Sequence, residues 1–358
     1  MKRPYYIFST GAIHRRDNTI AFLPRDSSYV PGYETPSDTA DEEVIDLRGE
    51  DGAAGTAKRI PIADVDSLHV FGSITLNAQA LRFLGQAAIP LHVYTHYGQY
   101  AGSYYPREYL HAGKLLLAQA AHCLDPGKRL ALARVFVAGA VRNMARTLRY
   151  YENRGRACTA QRERVEAAVE AAGSAEDIPE LRGVEGSARA AYYEAFPAVL
   201  EGRFEFRGRV KHPPDNEVNA LISFCNALVY SACLSEIYRT QLSPTLSYLH
   251  EPGARRHSLA LDIAEVFKPL YADRLVFSLV NRQMVGPEDF RRENGACLLN
   301  DRGRKTVVEA FEEKMKTVVE HRGLGRAVSY RRLIRLECYK LVKHLLGDEE
   351  YKPFAALW

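Results

Sequence analysis

Along the first part of the chain, apolar residues alternate with polar ones and Gly, Asn and Asp punctuate the runs. That is the period-two pattern of β-strands. Residues 5–9 read as a short apolar strand, and residues 18–22, after a polar turn, as a hairpin partner. Ile60, Val65, Leu68, Val70 and Phe71 continue the alternation until Gly72 breaks it, and Ile74 and Leu76 follow. Residues 77–85 predict a short helix, residues 89–94 a strand, and residues 100–105 another after the turn around Gly98. The pattern fails over residues 33–58, where Glu34, Asp38, Asp41, Glu42, Glu43, Asp46, Glu50 and Asp51 make the segment acidic. Gly52 and Gly55 loosen it further. A solvated, partly disordered insertion is expected there, of a charge that would avoid a nucleic-acid duplex.

From about Pro106 the repeat lengthens to that of helices. Helices are predicted over residues 109–121, 128–151, 161–172, 183–196, 219–240, 259–266, 269–281, 305–321 and 330–346. The segment 219–240 is largely apolar and reads as the core of its domain. The fold class is therefore α+β and multidomain: a β-rich N-terminal domain over 1–105, then a larger all-α catalytic domain over 106–358. No internal repeat is evident.

Composition narrows the picture only slightly. With 358 residues and 46% hydrophobic content the chain can build a sizeable core, divided between two domains. The net charge of +4 and the 21 tyrosines are compatible with nucleic-acid binding without arguing for it. The six cysteines form no CxxC pair, so a zinc ribbon or an iron–sulfur cluster finds no support, and several stand among apolar helical residues as buried thiols. No signal core and no bilayer-spanning apolar run is expected, so the cytoplasm is the default location and no membrane partner is expected.

Chemistry concentrates in residues 248–274. His250 and Glu251 precede a Pro-Gly break, and Ser258 is placed to cap a helix starting near Leu259. Within that helix Asp262 and Glu265 are three apart and share a face. A turn presenting His250 to that face would build half of a divalent-metal site. Arg255 and Arg256 lie in the same turn, placed to hold a phosphate, and metal plus phosphate clamp points to phosphodiester chemistry. Tyr248 lies two residues from His250, either to position a DNA end or as core. Upstream, Glu185 stands between Gly183 and Gly186 in a helical segment, where each glycine costs roughly 1 kcal/mol relative to alanine. Arg189 lies four residues later on the same face, as an ion-pair partner or as a phosphate contact. The basic helix of Arg331, Arg332, Arg335, Lys340 and Lys343 either tracks a phosphate backbone or is a solvated face. The aromatic tail with Tyr351 and Phe354 either packs internally or meets a partner.

The ordered set Glu-Gly-x-Ala-Arg at 185–189, Asn-Ala-Leu-Ile-Ser at 219–223, Leu-His-Glu-Pro-Gly at 249–253 and Leu-Asp-Ile-Ala-Glu at 261–265 resembles the CRISPR-associated protein 1 family. That family comprises the integrase and endonuclease subunits of spacer acquisition, and the resemblance spans nearly the whole chain outside 33–58. It implies a metal site of Glu185, His250 and Glu265, with Asp262 orienting a ligand or binding directly. Some members carry aspartate where Glu265 stands. The donor set suits Mg²⁺ or Mn²⁺. The implied reaction is attack of a DNA 3′-OH on a phosphodiester at a CRISPR repeat boundary, with Arg189, Arg255, Arg256 and Tyr248 as candidate DNA-phosphate contacts. The implied partners are double-stranded DNA (prespacer and CRISPR repeat), a second copy forming a homodimer through the β domains, and the small CRISPR-associated protein 2 as a bridge. Two other readings remain open at this level: a non-catalytic DNA-binding scaffold, and a stand-alone structure-selective repair nuclease.

Overall fold

The computed structural model describes residues 2–24, 58–107, 110, 112–200, 202, 204–211, 213–252, 257–321 and 324–356. The acidic insertion, apart from Lys58, lies outside the described residues. The chain divides into two compact units, Met1–Arg107 and Glu108–Trp358.

The first unit contains β1 (Arg3–Ile7), β2 (Gly11–Arg16), β3 (Thr19–Pro24), β4 (Lys58–Pro61), β5 (Val65–Val70), β6 (Ile74–Leu76), α1 (Ala78–Gln86), β7 (Leu91–Tyr94) and β8 (Tyr100–Tyr104). They form two four-stranded sheets, ordered β1-β5-β7-β8 and β4-β3-β2-β6. In the first sheet β1, β5 and β7 run parallel and β8 closes the edge antiparallel. The partner of residues 19–24 is β2, not the first strand as the alternation suggested; β1 instead pairs with β5 in the other sheet. Alternate residues of both sheets meet in one core: Ile7, Leu68, Val70 and Leu91 from one, Ile13, Ile20, Phe22 and Ile60 from the other, joined by Phe83 and Leu84 of α1. Asn77 starts α1 by accepting the Ala80 N–H at 2.8 Å.

The second unit is mostly helical. It contains α2 (Gly113–Leu124), α3 (Pro126–Glu152), α4 (Thr159–Ser174), α5 (Ile178–Glu194), the single turn α6 (Phe196–Val199), α7 (Glu217–Tyr238), α8 (Ser258–Lys268), α9 (Arg274–Asn281), β9 (Phe290–Glu293), β10 (Ala296–Leu299), α10 (Asp301–Lys316), β11 (Val318–His321), β12 (Arg326–Ser329) and α11 (Tyr330–Leu346). A π-helical turn, Pro269–Asp273, joins α8 to α9. The long α3 packs on α4, α5 and α8, and α7 packs on α8 and α11.

Three expectations change here. The helical domain carries two hairpins, β9–β10 and β11–β12. The helix expected over 305–321 starts earlier, because Asn300 accepts the Gly303 N–H, and ends at Lys316; Val318–His321 pairs with β12 instead. Finally, α7 is in fact long and apolar enough to cross a membrane, but 83% of its most apolar window is buried inside the structure, which makes it a core helix.

The aromatic tail takes the internal option. Tyr351 and Ala356 are buried, and Asn143 of α3 donates to the Phe354 carbonyl at 2.9 Å and accepts the Ala356 N–H at 3.2 Å. Glu337 of α11 accepts from the Tyr351 hydroxyl at 2.7 Å and the Phe354 N–H at 2.8 Å. The tail crosses α3 at Gly139, where a Cβ would stand 2.6 Å from the Pro353 ring.

Candidate active site

Two helices and one loop carry the site. Asp177 accepts the Glu180 N–H at 2.8 Å and, with Pro179 in the first turn, starts α5 so that Glu185 and Arg189 lie one turn apart on one face. A Cβ at Gly183 or Gly186 would meet nothing within 4 Å, so the space beside Glu185 is open. On α8, Asp262, Glu265 and Lys268 follow at intervals of three. Ser258 does not cap this helix from outside. It is the first helical residue, and its hydroxyl donates to the Thr245 carbonyl at 2.8 Å, tying the helix start to the preceding loop.

Asp262 organises that loop. Fully buried, it accepts the backbone N–H groups of Tyr248 at 2.7 Å, Leu249 at 3.1 Å and His250 at 3.1 Å. It also meets His250 Nδ1 at 2.7 Å. A carboxylate only accepts, so Nδ1 carries a proton and Nε2 lies on the side of the ring away from Asp262. Asp262 thereby fixes both the His250 ring and the backbone that carries it.

Glu185 and Glu265 meet across a guanidinium. Arg189 donates to Glu185 Oε1 from Nη2 at 2.8 Å and from Nε at 3.1 Å, and Nη2 also donates to Glu265 Oε2. Lys268 Nζ holds the other Glu265 oxygen at 2.5 Å. Burial opposes ionisation of Glu265, but Arg189 and Lys268, helped by His250, outweigh it and hold the carboxyl well below the usual range. Burial likewise opposes the Arg189 charge, and Glu265 and Glu185 more than restore it. Removing one partner from so buried a pairing costs about 3–5 kcal/mol.

The structure thus brings Glu185, Glu265 and Arg189 together and orients His250 nearby. Among the described residues, no group of three His, Cys, Asp or Glu side chains stands close enough to hold a metal ion, because Arg189 lies between the two carboxylates. Arg189 is accordingly engaged in ion pairs and not free for a phosphate; the ion-pair alternative holds, with Glu265 as a second acceptor. Tyr248 departs from its expected DNA contact. It is 0% exposed and stacks near Phe136, ring centroids 6.4 Å apart, because the backbone bonds to Asp262 turn its side chain into the core. Arg255 and Arg256 lie outside the described residues. Glu251 pairs with Arg129 at 2.8 Å, and the same arginine donates to the Tyr248 carbonyl at 2.9 Å, which fixes the loop from its outer side.

Sequence reasoning missed a cationic rim. Lys268, Arg209 and Lys211 all act on the site: partial burial and the nearby charges of Arg189, Arg209 and Lys268 push the Lys211 amine down. Arg209 is set by α7, donating to Asn219 Oδ1 at 3.0 Å and Ser223 Oγ at 2.9 Å, which gives the Asn-Ala-Leu-Ile-Ser motif its structural role. The signal for Lys268 was present, since it is three residues past Glu265 and so on the same face.

Two largely buried carboxylates already share one positive charge, and an imidazole with a fixed tautomer stands close enough to act on Glu265.

Comparison with known proteins agrees with this architecture. The family model described as CRISPR associated protein Cas1 matches residues 5–313. A CRISPR-associated endonuclease Cas1 of Thermodesulfovibrio yellowstonii is 45% identical over 99% of this chain and 100% of its own length. A Cas1 protein from Thermotoga maritima has a solved structure that superposes with a TM-score of 0.82 at 35% identity, covering 98% of this chain and 100% of that one. A casposase bound to integration product shares the fold, with a TM-score of 0.80 at 18% identity over 99% of this chain and 93% of that one. The chain belongs to the CRISPR-associated Cas1 family.

Proposed function

We propose that this Cas1 protein is a metal-dependent DNA endonuclease and integrase that joins short duplexes to a CRISPR array. The observation that carries this reading is the convergence of Glu185 and Glu265 on one positive charge, beside an imidazole oriented by Asp262. Glu185, Glu265 and His250 Nε2 are the groups that would hold Mg²⁺ or Mn²⁺. Bound there, the ion supplies Lewis-acid activation of a phosphodiester and lowers the pKa of the attacking hydroxyl.

The chain's own residues do the rest. Asp262 holds His250 in one tautomer, so the ring needs no reorientation to present Nε2. Lys268, Lys211 and Arg209 supply positive charge around the carboxylates, where a DNA phosphate would otherwise be repelled. The open space beside Gly183 and Gly186 leaves room for a DNA backbone at Glu185. A 3′-OH displaces the 3′ oxygen of the target strand, so one phosphodiester forms as another breaks and no nucleotide hydrolysis is required. The working assembly in this reading is a homodimer bridged by the small CRISPR-associated protein 2, acting on prespacer and repeat duplexes in the cytoplasm.

The test is strand transfer with the purified protein, its small partner, a labelled duplex with free 3′-OH ends and a plasmid carrying the cognate repeat, in Mn²⁺ or Mg²⁺. Label joined at the repeat boundaries by the wild type and not by His250→Ala is the expected result. DNA binding without joining by either protein would point to a scaffold. Nicking of branched DNA that needs neither partner nor repeat would point to a stand-alone nuclease.

A further inference from the structure

The carboxylates assigned to the metal already hold a cation of the chain's own. Arg189 Nη2 donates to Glu185 Oε1 at 2.8 Å and also to Glu265 Oε2, the position between two carboxylates that a divalent ion would take. Lys268 completes the neutralisation of Glu265 at 2.5 Å. The guanidinium and a metal ion cannot share that space, and burying both together would place three or more positive charges against two carboxylates.

A second buried carboxyl feels the Arg189 charge. Asp273 closes the π-helical turn that follows α8, is 1% exposed, and its Oδ1 has no hydrogen-bond partner among the described residues. A buried carboxyl oxygen left unbonded is costly, and such an atom in a native fold calls for an explanation. Arg189 and Lys268 are the two cations that act most strongly on it. A single π-type turn inside an otherwise regular helix is also a feature met often at functional sites.

We propose that Arg189 is a displaceable cation: it holds Glu185 and Glu265 together in the metal-free protein, and it withdraws to Asp273 when a divalent ion takes the carboxylates. Arg189 is thus a positioning residue for the metal. It keeps the buried Glu265 and the half-buried Glu185 from repelling one another before loading, and metal binding must work against it. This rests on the reading of Glu185, His250 and Glu265 as the metal-holding set.

The experiment is Mn²⁺ titration of the full-length, DNA-free protein, following free Mn²⁺ by electron paramagnetic resonance. The proteins are the wild type, Arg189→Gln, Asp273→Asn, the double variant and Glu265→Gln, each checked for a cooperative thermal melt. Arg189→Gln is expected to bind Mn²⁺ about tenfold more tightly, the factor for a competent state populated about a tenth of the time. Asp273→Asn is expected to bind more weakly when Arg189 is present and to change nothing when Arg189 is already Gln. Equal or weaker binding by Arg189→Gln, with Glu265→Gln still abolishing it, overturns the inference and leaves the metal reading standing. So does unchanged binding by Asp273→Asn alone, which needs no folded Arg189→Gln. No Mn²⁺ bound by any protein, or binding that survives Glu265→Gln, overturns both.

Discussion

Asp262 is the residue on which the site geometry most depends, since one carboxylate sets three consecutive backbone N–H groups and the His250 ring. Asp262→Asn keeps the shape but turns an acceptor into a partial donor. Strand joining and Mn²⁺ affinity should each fall about 10–100-fold, as for other groups that orient a metal-binding imidazole. Unchanged Mn²⁺ affinity would remove that role. Asp273 makes a second prediction. Burial pushes its carboxyl from the ordinary 3.8 up to about 7, against the opposing pull of Arg189 and Lys268. A raised carboxyl pKa contributes stability that is complete below the ordinary value and lost as pH rises through the folded one. Thermal melts should therefore show the wild type losing stability relative to Asp273→Asn as pH rises from about 4 to about 7. A constant gap across that window would refute the assignment. At this scale the shared faces of Glu185 with Arg189 and of Asp262 with Glu265 were legible, because spacing on a helix survives without coordinates. The burial of Tyr248 and the gathering of Lys211, Arg209 and Lys268 were not legible, because they depend on where a loop's backbone bonds go and on segments far apart in sequence.

Among the elements, the helices were readable and the short strands of the second unit were not. α11 falls where its apolar spacing predicts, capped by Ser329 at one end and by Gly347 in the left-handed region, φ 84°, at the other. β9 reads Phe-Arg-Arg-Glu, and β11 continues the previous helix's composition; strands of four residues take their identity from the partner they pair with, which a local pattern does not contain. The crossing of the tail over α3 gives the prediction for this scale. Gly139→Ala places a methyl 2.6 Å from Pro353, and since the next residue, Phe354, is held through both its N–H and its carbonyl, the ring has little room to yield. A loss of about 1–3 kcal/mol is expected, seen as a lower denaturant midpoint with an unchanged slope. An unaltered midpoint would show that the tail is not clamped there.

At the scale of the whole molecule, the division into a β-rich unit and a mostly helical one was evident from the change of hydrophobic period near Pro106. The assignment of strands to two separate sheets was not, since parallel pairing of β1 with β5 joins segments with much chain between them. β3 and β4 run antiparallel with Phe22 opposite Lys58, so the ends of the intervening stretch stand side by side. Replacing residues 25–57 by a short Gly/Ser turn should leave the melting temperature of the protein unchanged or slightly higher, because loop-closure entropy varies slowly with length. A collapse of stability would mean that the stretch contributes structure of its own. The hydrogen bonds between Asn143 and the tail join positions 211 and 213 residues apart. On the ribosome, α3 is therefore made long before the segment that satisfies Asn143 and seals the groove at Gly139. Until that segment is made, the Asn143 side chain has the Val266 carbonyl as its partner and lacks the two tail contacts. Packing at Gly139 therefore waits on the tail, and a chain released before it would present that face of α3 to the chaperones and proteases that survey unfinished proteins.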